Sequence, residues 1–246
     1  RAPPVALNDA LVAGELDIAP ISLVEYLRHA EDLLLLPGVA VGSDGPVLSV
    51  NIVHDKPLSE LDGGRVALGS ASRTGVLLAR MLLAERYGAT VEYVQTEPDV
   101  PQMLRKADAA VVIGDVALRA MYEAPPQGLT VTDLGDEWRQ WSGLPMVFAV
   151  WAVRKDFAQR QPGRVKDVHN AFLRSVTLCL DELDTVAESA ARWEPFDAAT
   201  LAGYFRTLDF SLGDRQLDGL RAFAAKAAAV GEVPPLPADG PLLFAG

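Results

Sequence analysis

Short, largely apolar runs alternate with longer amphipathic stretches over the first 153 residues, and polar loops separate them. The runs 16–21, 65–68 and 109–113 are typical of buried strands, because short apolar segments bounded by turn residues fit a covered sheet. Between the last two, 74–87 repeats apolar residues at helical spacing and ends at Gly88, a common type of helix stop. Strands that alternate with helices predict a parallel, doubly wound α/β architecture.

The same patterns predict the other elements and a change of architecture after residue 153. Further helices are expected at 164–190, 197–207 and 214–230, and the Pro-rich last dozen residues are expected to lie extended on the surface. The remaining predicted strands are 33–36, 39–41, 47–53, 91–95 and 146–153, and the remaining predicted helices are 5–13, 22–30, 99–106, 116–122 and 136–141.

This order of elements fits two α/β lobes. Lobe I would comprise 1–51 with 149–246, and lobe II would be the inserted block 52–148, with the chain crossing near Val50 and Val150. Ligands of open α/β sheets bind outside the carboxyl ends of strands, where the topology switches. We therefore expect a ligand cleft between the lobes.

Small polar residues follow four of the predicted strands. Three of these strand exits lead into helices, whose N-termini present free N–H groups and a positive partial charge that suit carboxylate or phosphate. A simple helix cap is the alternative at each exit, above all where a serine pairs with a glutamate three residues on as a capping box. The residues are Ser22 (with Glu25), then Ser43, Asp44 and Gly45, then Ser70, Ser72, Arg73 and Thr74, and finally Gly114 and Asp115.

Charge and composition narrow the choice of ligand. The 246-residue chain carries a formal net charge of −11, so nucleic acid and anionic membranes should be repelled. A small anion can still bind, because three or four hydrogen bonds to a charged group, each about 1.5–3 kcal/mol, reach the roughly 8 kcal/mol of a micromolar ligand. The apolar runs are too short to cross a bilayer.

Several classes of chemistry lack their signatures. The sequence has no phosphate-binding loop, no dinucleotide-binding glycine pattern and no nucleophile elbow. The three histidines are scattered, so we expect no metal site and no cofactor. Cys179 is the single cysteine, which indicates a reducing compartment, and its apolar helical seam favours a packed core thiol over a nucleophile. Trp141–Pro145 could cover a ligand, although the tryptophans Trp138, Trp141 and Trp151 could equally pack in a core.

Five strings resemble the chorismate dehydratase family of the futalosine route to menaquinone: GELDIAPIS (14–22), LLPGVAVGSDGPVLSV (35–50), LDGGRVALGSASRTGVLL (61–78), AVVIGDVAL (110–118) and DLGDEWRQWSGLPMVFAVWAVRKDF (133–157). The resemblance covers about 14–160. It implies a two-lobed fold like that of type II periplasmic binding proteins. It also implies loss of water from chorismate, a dicarboxylate, to give 3-[(1-carboxyvinyl)oxy]benzoate without a metal or organic cofactor.

If the chain has this activity, the polar residues that follow the predicted strands would have specific roles at the substrate. Ser70, Ser72, Arg73 and Thr74 would hold a substrate carboxylate, and Asp115 would assist the leaving hydroxyl. Further substrate contacts are expected from Ser22, Ser43, Gly45, Gly114 and Pro145. The proton acceptor is open, and the substrate's own enolpyruvyl carboxylate is one candidate.

One departure from the family concerns the start of the chain. The family begins with a strand and a Tyr/Ser-x-Asn-x-x-Pro loop that nothing before Arg1 supplies, so we expect a first strand and some site residues to be missing. We expect a cytoplasmic enzyme; the alternative is a non-catalytic protein that binds small anions, either a solute receptor or the sensing part of a regulator. The oligomeric state is open.

Overall fold

The computed structural model describes residues 4–69, 73–123, 128–237 and 240–244. The chain up to Ser43 and the chain from Met146 onward form one compact unit, here unit 1, while Asp44–Pro145 form unit 2. The predicted boundaries at 51/52 and 148/149 lie eight and three residues after those of this division, 43/44 and 145/146. The reason is that the strand at Val50 belongs to the sheet of unit 2, where it pairs with Ile113.

Unit 1 contains a three-stranded antiparallel sheet of order β1-β8-β2 under a set of helices. The predicted strands 33–36 and 39–41 are one strand, β2, whose register shifts between Leu35 and Ala40. Its elements are α1 (Pro4–Val12), β1 (Ile18–Ser22), α2 (Leu23–Arg28), β2 (Leu33–Ser43), β8 (Met146–Arg154), α7 (Lys155–Arg160), α8 (Pro162–Asp181), α9 (Leu183–Ala190), α10 (Ala198–Thr207) and α11 (Asp214–Ala229).

Two expectations for the end of the chain are wrong in part. The helix predicted over 164–190 is interrupted at Glu182 and forms α8 and α9. Cys179 is half-buried in α8, because that helix covers the core with one stripe only. The described end of the chain does not simply lie on the surface: Leu35 and Phe244 are hydrogen-bonded through their backbones at 2.8 Å, and the Phe244 ring is buried beside Leu36 and Val39.

Unit 2 contains a mixed five-stranded sheet of order β5-β4-β6-β3-β7. β4 is parallel to β5 and β6, whereas β3 is antiparallel to β6 and β7, so the predicted all-parallel arrangement is wrong at β3 and throughout unit 1. Its elements are β3 (Val50–His54), β4 (Arg65–Gly69), α3 (Arg73–Met81), β5 (Glu92–Thr96), α4 (Val100–Leu104), β6 (Ala109–Ile113), α5 (Asp115–Tyr122), β7 (Thr130–Asp133) and α6 (Leu134–Ser142).

The core of unit 2 lies between the sheet and its helices. Val53, Ala67, Ala110 and Val112 are buried together on the sheet, with Ala117 of α5 against them. This layer of small and branched side chains fixes where each strand ends and each helix begins. No helix in the described ranges is long and apolar enough to span a membrane.

Candidate functional site

One edge of the unit 2 sheet collects the ends of four strands, and we call it the carboxyl edge. Leu68 of β4 lies beside Val111 of the parallel β6, and Gly69 lies beside Thr96, the last residue of β5. Asp133, the last residue of β7, pairs with Asn51 near the start of β3. The helices α3, α5 and α6 therefore begin at the same edge, with their positive ends toward it.

The predicted residues around the start of α3 are only partly visible. Ser70 and Ser72 lie outside the described residues. Arg73 is the first residue of α3 and half-buried, and Thr74 follows it with 2% of its surface exposed. The sheet register thus brings Arg73 and Thr74 to the carboxyl edge.

The start of α5 lacks a side-chain cap. Gly114 has φ 61° and ψ −139°, a conformation that is essentially restricted to glycine. Its N–H donates to the Ser49 carbonyl at 2.9 Å, and no side chain caps α5. Asp115, the first helical residue, is exposed, so its carboxylate is available to a ligand.

Asp133 is a half-buried carboxylate at the same edge, and the sequence pattern did not indicate it. Its oxygens accept the N–H groups of Gly135 at 2.8 Å and Asp136 at 3.0 Å, which caps α6. They also accept the N–H groups of Val47 at 3.0 Å and Leu48 at 2.6 Å. Burial raises the pKa of this carboxyl, and the four N–H donors partly offset that rise.

The loop that Asp133 holds carries backbone strain. Among the described residues, Leu48 is the one non-glycine residue with positive φ, at 62°, and such a conformation costs about 1–3 kcal/mol. The Leu48 carbonyl accepts from Asn51 Nδ2 at 2.8 Å, and the same nitrogen donates to Ala117 of α5 at 3.1 Å. Asn51 therefore joins the strained loop to α5.

Two buried polar atoms in the described part of the chain lack a hydrogen-bond partner, Asn51 Oδ1 and Thr96 Oγ1. Both belong to strand ends at the carboxyl edge. A buried polar group without a partner costs about 1–3 kcal/mol and calls for an explanation. A polar ligand at this edge would supply one.

Gly45 also lies in unit 2, in the loop before β3. Its φ is 126°, and a Cβ there would meet no atom within 4 Å. The space beside the Gly45 Cα is therefore open.

Two predicted residues belong to unit 1. Ser22 caps α2: its Oγ accepts the Glu25 N–H at 3.3 Å, and its own N–H donates to Asn8 Oδ1 at 3.0 Å. Glu25 also pairs with His29 at 3.2 Å. Ser43 is fully buried at the end of β2 opposite Met146. For Ser22 the structure supplies the cap that sequence analysis offered as the alternative.

The segment that ends unit 2 is anchored by tryptophan. Trp138 is fully buried, meets Trp141 edge-on at 5.8 Å, and donates from Nε1 to the Pro145 carbonyl at 3.2 Å. Trp151 belongs to unit 1, where it packs on Phe172 at 5.7 Å. The Pro145 carbonyl is thus engaged within unit 2, and Trp138 is a core residue.

A cavity of about 450 Å³ lies elsewhere, on unit 1 beside the end of α1 and the start of α7. Charged residues on its walls engage neighbours: Arg154 forms two hydrogen bonds to Asp156 at 2.8 and 3.0 Å, and Lys155 donates to the Glu31 carbonyl. None of the predicted site residues lines this cavity.

Sequence analysis missed Asp133, Asn51 and Thr96. A partial signal existed for Asp133, since an aspartate three residues before an acidic pair suits a helix start. This signal was not recognised, because β7, the strand that ends at Asp133, was not predicted. Asn51 is the second residue of β3 and Thr96 is the last residue of β5, and only the sheet register brings them to the same edge.

Comparisons with known proteins agree with this architecture. The chain is 35% identical over 237 residues to a chorismate dehydratase of Thermus thermophilus, covering 91% of this chain and 84% of that protein. It is 27% identical over 177 residues to a 1,4-dihydroxy-6-naphtoate synthase of the same organism, covering 71% and 60%.

Solved structures agree on the fold. A protein of Archaeoglobus fulgidus superimposes with a TM-score of 0.73 at 21% identity, covering 94% of this chain and 86% of that one. The periplasmic aliphatic sulphonate binding protein of Escherichia coli gives 0.67 at 17% identity, covering 94% and 80%. The fold is therefore the two-lobed α/β fold of periplasmic binding proteins, and since the menaquinone biosynthesis family model matches residues 1–229, the chain belongs to that family.

Proposed function

We propose that the protein is a hydro-lyase that removes water from chorismate to give 3-[(1-carboxyvinyl)oxy]benzoate. The observation that carries the proposal is the 35% identity to a chorismate dehydratase along nearly the whole chain. The polar carboxyl edge of unit 2 supports it, because the substrate is a dicarboxylate. We also propose a cytoplasmic location, on the ground that this relative is an enzyme.

The carboxyl edge suits one carboxylate of the substrate. Arg73 and Thr74 begin α3, and α5 begins without a side-chain cap at Gly114. An anion placed there gains charge-assisted hydrogen bonds and the favourable helix dipoles. We assign Ser70 and Ser72 to the same carboxylate, and backbone donors at Gly45 to the substrate as well. Ser43, Ser22 and Pro145 stay weaker assignments, because the structure gives Ser22 and Pro145 partners within their own units.

The elimination itself needs little from the protein beyond orientation and exclusion of water. A proton leaves the ring carbon that bears the enolpyruvyl ether, and the C–O bond at the neighbouring carbon breaks. The departing hydroxide takes up a proton to become water, and the ring becomes aromatic, which drives the reaction. Asp115 is the candidate that assists the leaving hydroxyl, since it is exposed at the edge; the enolpyruvyl carboxylate of the substrate can accept the ring proton.

The direct test is turnover of chorismate by the purified full-length protein with its native N-terminus. We expect loss of chorismate and appearance of the benzoate product in equal amounts, separated by chromatography. Chorismate that binds, as measured by calorimetry, but survives incubation would favour the non-catalytic alternative. If the protein neither binds chorismate nor turns it over, chorismate is rejected as the substrate.

A further inference from the structure

The Asp133 carboxylate accepts hydrogen bonds from two separate segments of unit 2. Two of its N–H donors belong to the first turn of α6, which is ordinary helix capping. The other two, Val47 and Leu48, lie more than eighty residues earlier in the chain. A cap alone needs only the first pair, so the second pair calls for a separate reason.

The second pair holds a loop that would not keep its shape unaided. Leu48 has a φ of 62°, which a leucine adopts only when its surroundings impose it. Asp133 binds the Leu48 N–H at 2.6 Å, and Asn51 binds its carbonyl at 2.8 Å. Both polar groups of the strained residue are therefore engaged by side chains of unit 2.

The loop is tied directly to the proposed substrate site. Ser49, the next residue, accepts the Gly114 N–H at 2.9 Å, and Asn51 also reaches the first turns of α5 through Ala117. Gly45 opens the same loop with free space beside its backbone. Displacing Leu48 would therefore shift both Gly45 and the start of α5.

We propose that Asp133 is a positioning residue for the substrate site: its hydrogen bonds to Val47 and Leu48 hold the 45–49 loop, and through it Gly45 and the Gly114–Asp115 helix start. The role rests on the proposed function for its kinetic meaning. Asp133 does not touch the substrate and moves no proton.

Asp133→Ser separates the two duties of the side chain. Serine is a strong N-cap for α6, but its single short oxygen cannot also reach Val47 and Leu48. If Asp133 positions the loop, KM for chorismate rises about tenfold or more while kcat changes less, because binding contacts that are made equally in the ground state and the transition state are lost. A purely structural cap predicts unchanged KM and kcat for the folded variant, and that result overturns the proposal.

Leu48→Gly supplies the rescue. Glycine adopts positive φ without strain, so the loop no longer needs to be held. The double variant Asp133→Ser with Leu48→Gly should recover most of the lost affinity. If KM of the double variant stays as high as that of Asp133→Ser alone, the link through Leu48 is contradicted.

Asp108→Asn is the matched control. Asp108 is another carboxylate of unit 2 that accepts a strand N–H, that of Arg65 at 2.9 Å, but at the opposite edge of the sheet. The Asp108→Asn substitution should leave KM and kcat unchanged.

If Asp133→Ser does not fold, Asp133→Asn takes its place. The amide of asparagine keeps one acceptor oxygen, and KM should again rise.

Amide hydrogen exchange keeps this proposal separate from the proposed function. Without substrate, Asp133→Ser should speed exchange at Val47 and Leu48 and leave Gly135 and Asp136 protected. Equal protection at Val47 and Leu48 in the variant would overturn the positioning role. Absence of turnover by the full-length wild-type protein would instead reject the proposed function.

Discussion

The two edges of the unit 2 sheet contain similar residue types and use them differently. At the opposite edge, where β4 and β6 begin, Asp62 accepts the Thr90 N–H at 2.8 Å and Asp108 accepts that of Arg65 at 2.9 Å. His54 has both ring nitrogens bonded, to the Lys56 carbonyl at 2.7 Å and to Thr132 at 2.8 Å. Each of these three side chains has a hydrogen-bond partner.

The carboxyl edge departs from this pattern. It carries the strained Leu48, the glycine-only conformation of Gly114, and the two unpartnered atoms of Asn51 and Thr96. Strained residues and unsatisfied polar groups persist only where the surrounding structure enforces them, and they cluster at functional sites. This difference supports our proposal that the carboxyl edge binds the substrate, whereas the opposite edge contributes to stability.

The largest effect is expected at Asp115. Asp115→Asn should lower kcat about a hundredfold, the scale of a lost general acid–base group. Steady-state kinetics with chorismate measures it. The matched variant at the opposite edge is Asp62→Asn, which should leave kcat unchanged. Equal kcat in Asp115→Asn and wild type would remove Asp115 from the chemistry.

Arg73 should come next. Arg73→Ala removes a cation at the start of α3, and KM should rise about tenfold to a hundredfold, the value of one or two charge-assisted hydrogen bonds. Arg65→Ala at the opposite edge breaks only the exposed ion pair with Glu92 at 3.0 Å and should not alter KM. A common KM for both variants would erase the proposed contrast between the edges.

Glycine substitutions sharpen the comparison further. Gly114 and Gly63 both have positive φ, 61° and 73°, and a Cβ at either would meet no atom within 4 Å. Gly114→Ala should lower kcat/KM about tenfold and cost about 1–3 kcal/mol of stability, because its φ,ψ pair strains any side chain. Gly63→Ala should cost about 1 kcal/mol with full activity. Loss of activity in both would indicate a general effect of destabilisation.

The smallest effect concerns pH at the opposite edge. Burial lowers the pKa of His54 below its ordinary value, so the folded state binds its proton later than the unfolded chain as pH falls. The unfolding free energy should therefore decline below about pH 6.5, by about 1 kcal/mol per unit of depression. His54→Gln keeps both hydrogen bonds without titrating. Denaturant unfolding at several pH values should show a flatter profile for this variant; parallel profiles would contradict the assignment.

The sequence predicted elements better than arrangement. β6 was predicted with its observed bounds, Ala109–Ile113, because five apolar residues between a polar loop and a glycine leave little choice. β7 was missed, since TVTD has a single large apolar residue and borrows its stability from pairing with β3. Strand direction was also missed at β3, because hydrophobic pattern does not encode parallel or antiparallel pairing.

In the candidate site too, the sequence predicts local features better than contacts between distant residues. Gly114 and Asp115 were predicted as site residues because they follow a clear strand and begin a helix; the structure confirms the strand and the helix, and their role in the site stays a prediction. Ser22 had the same signal but serves as a cap. Asp133 and Asn51 act on residues distant in the chain or across the sheet, so local pattern could not assign their partners.

The central claim is that the carboxyl edge of unit 2 holds the substrate. Hydrogen–deuterium exchange with and without saturating chorismate tests it most directly. The account predicts added protection in 45–49, 73–77 and 114–117, and no change in 54–56, 62–66 and 106–109. Protection confined to the second set, or no change in the first while chorismate is bound, would contradict it.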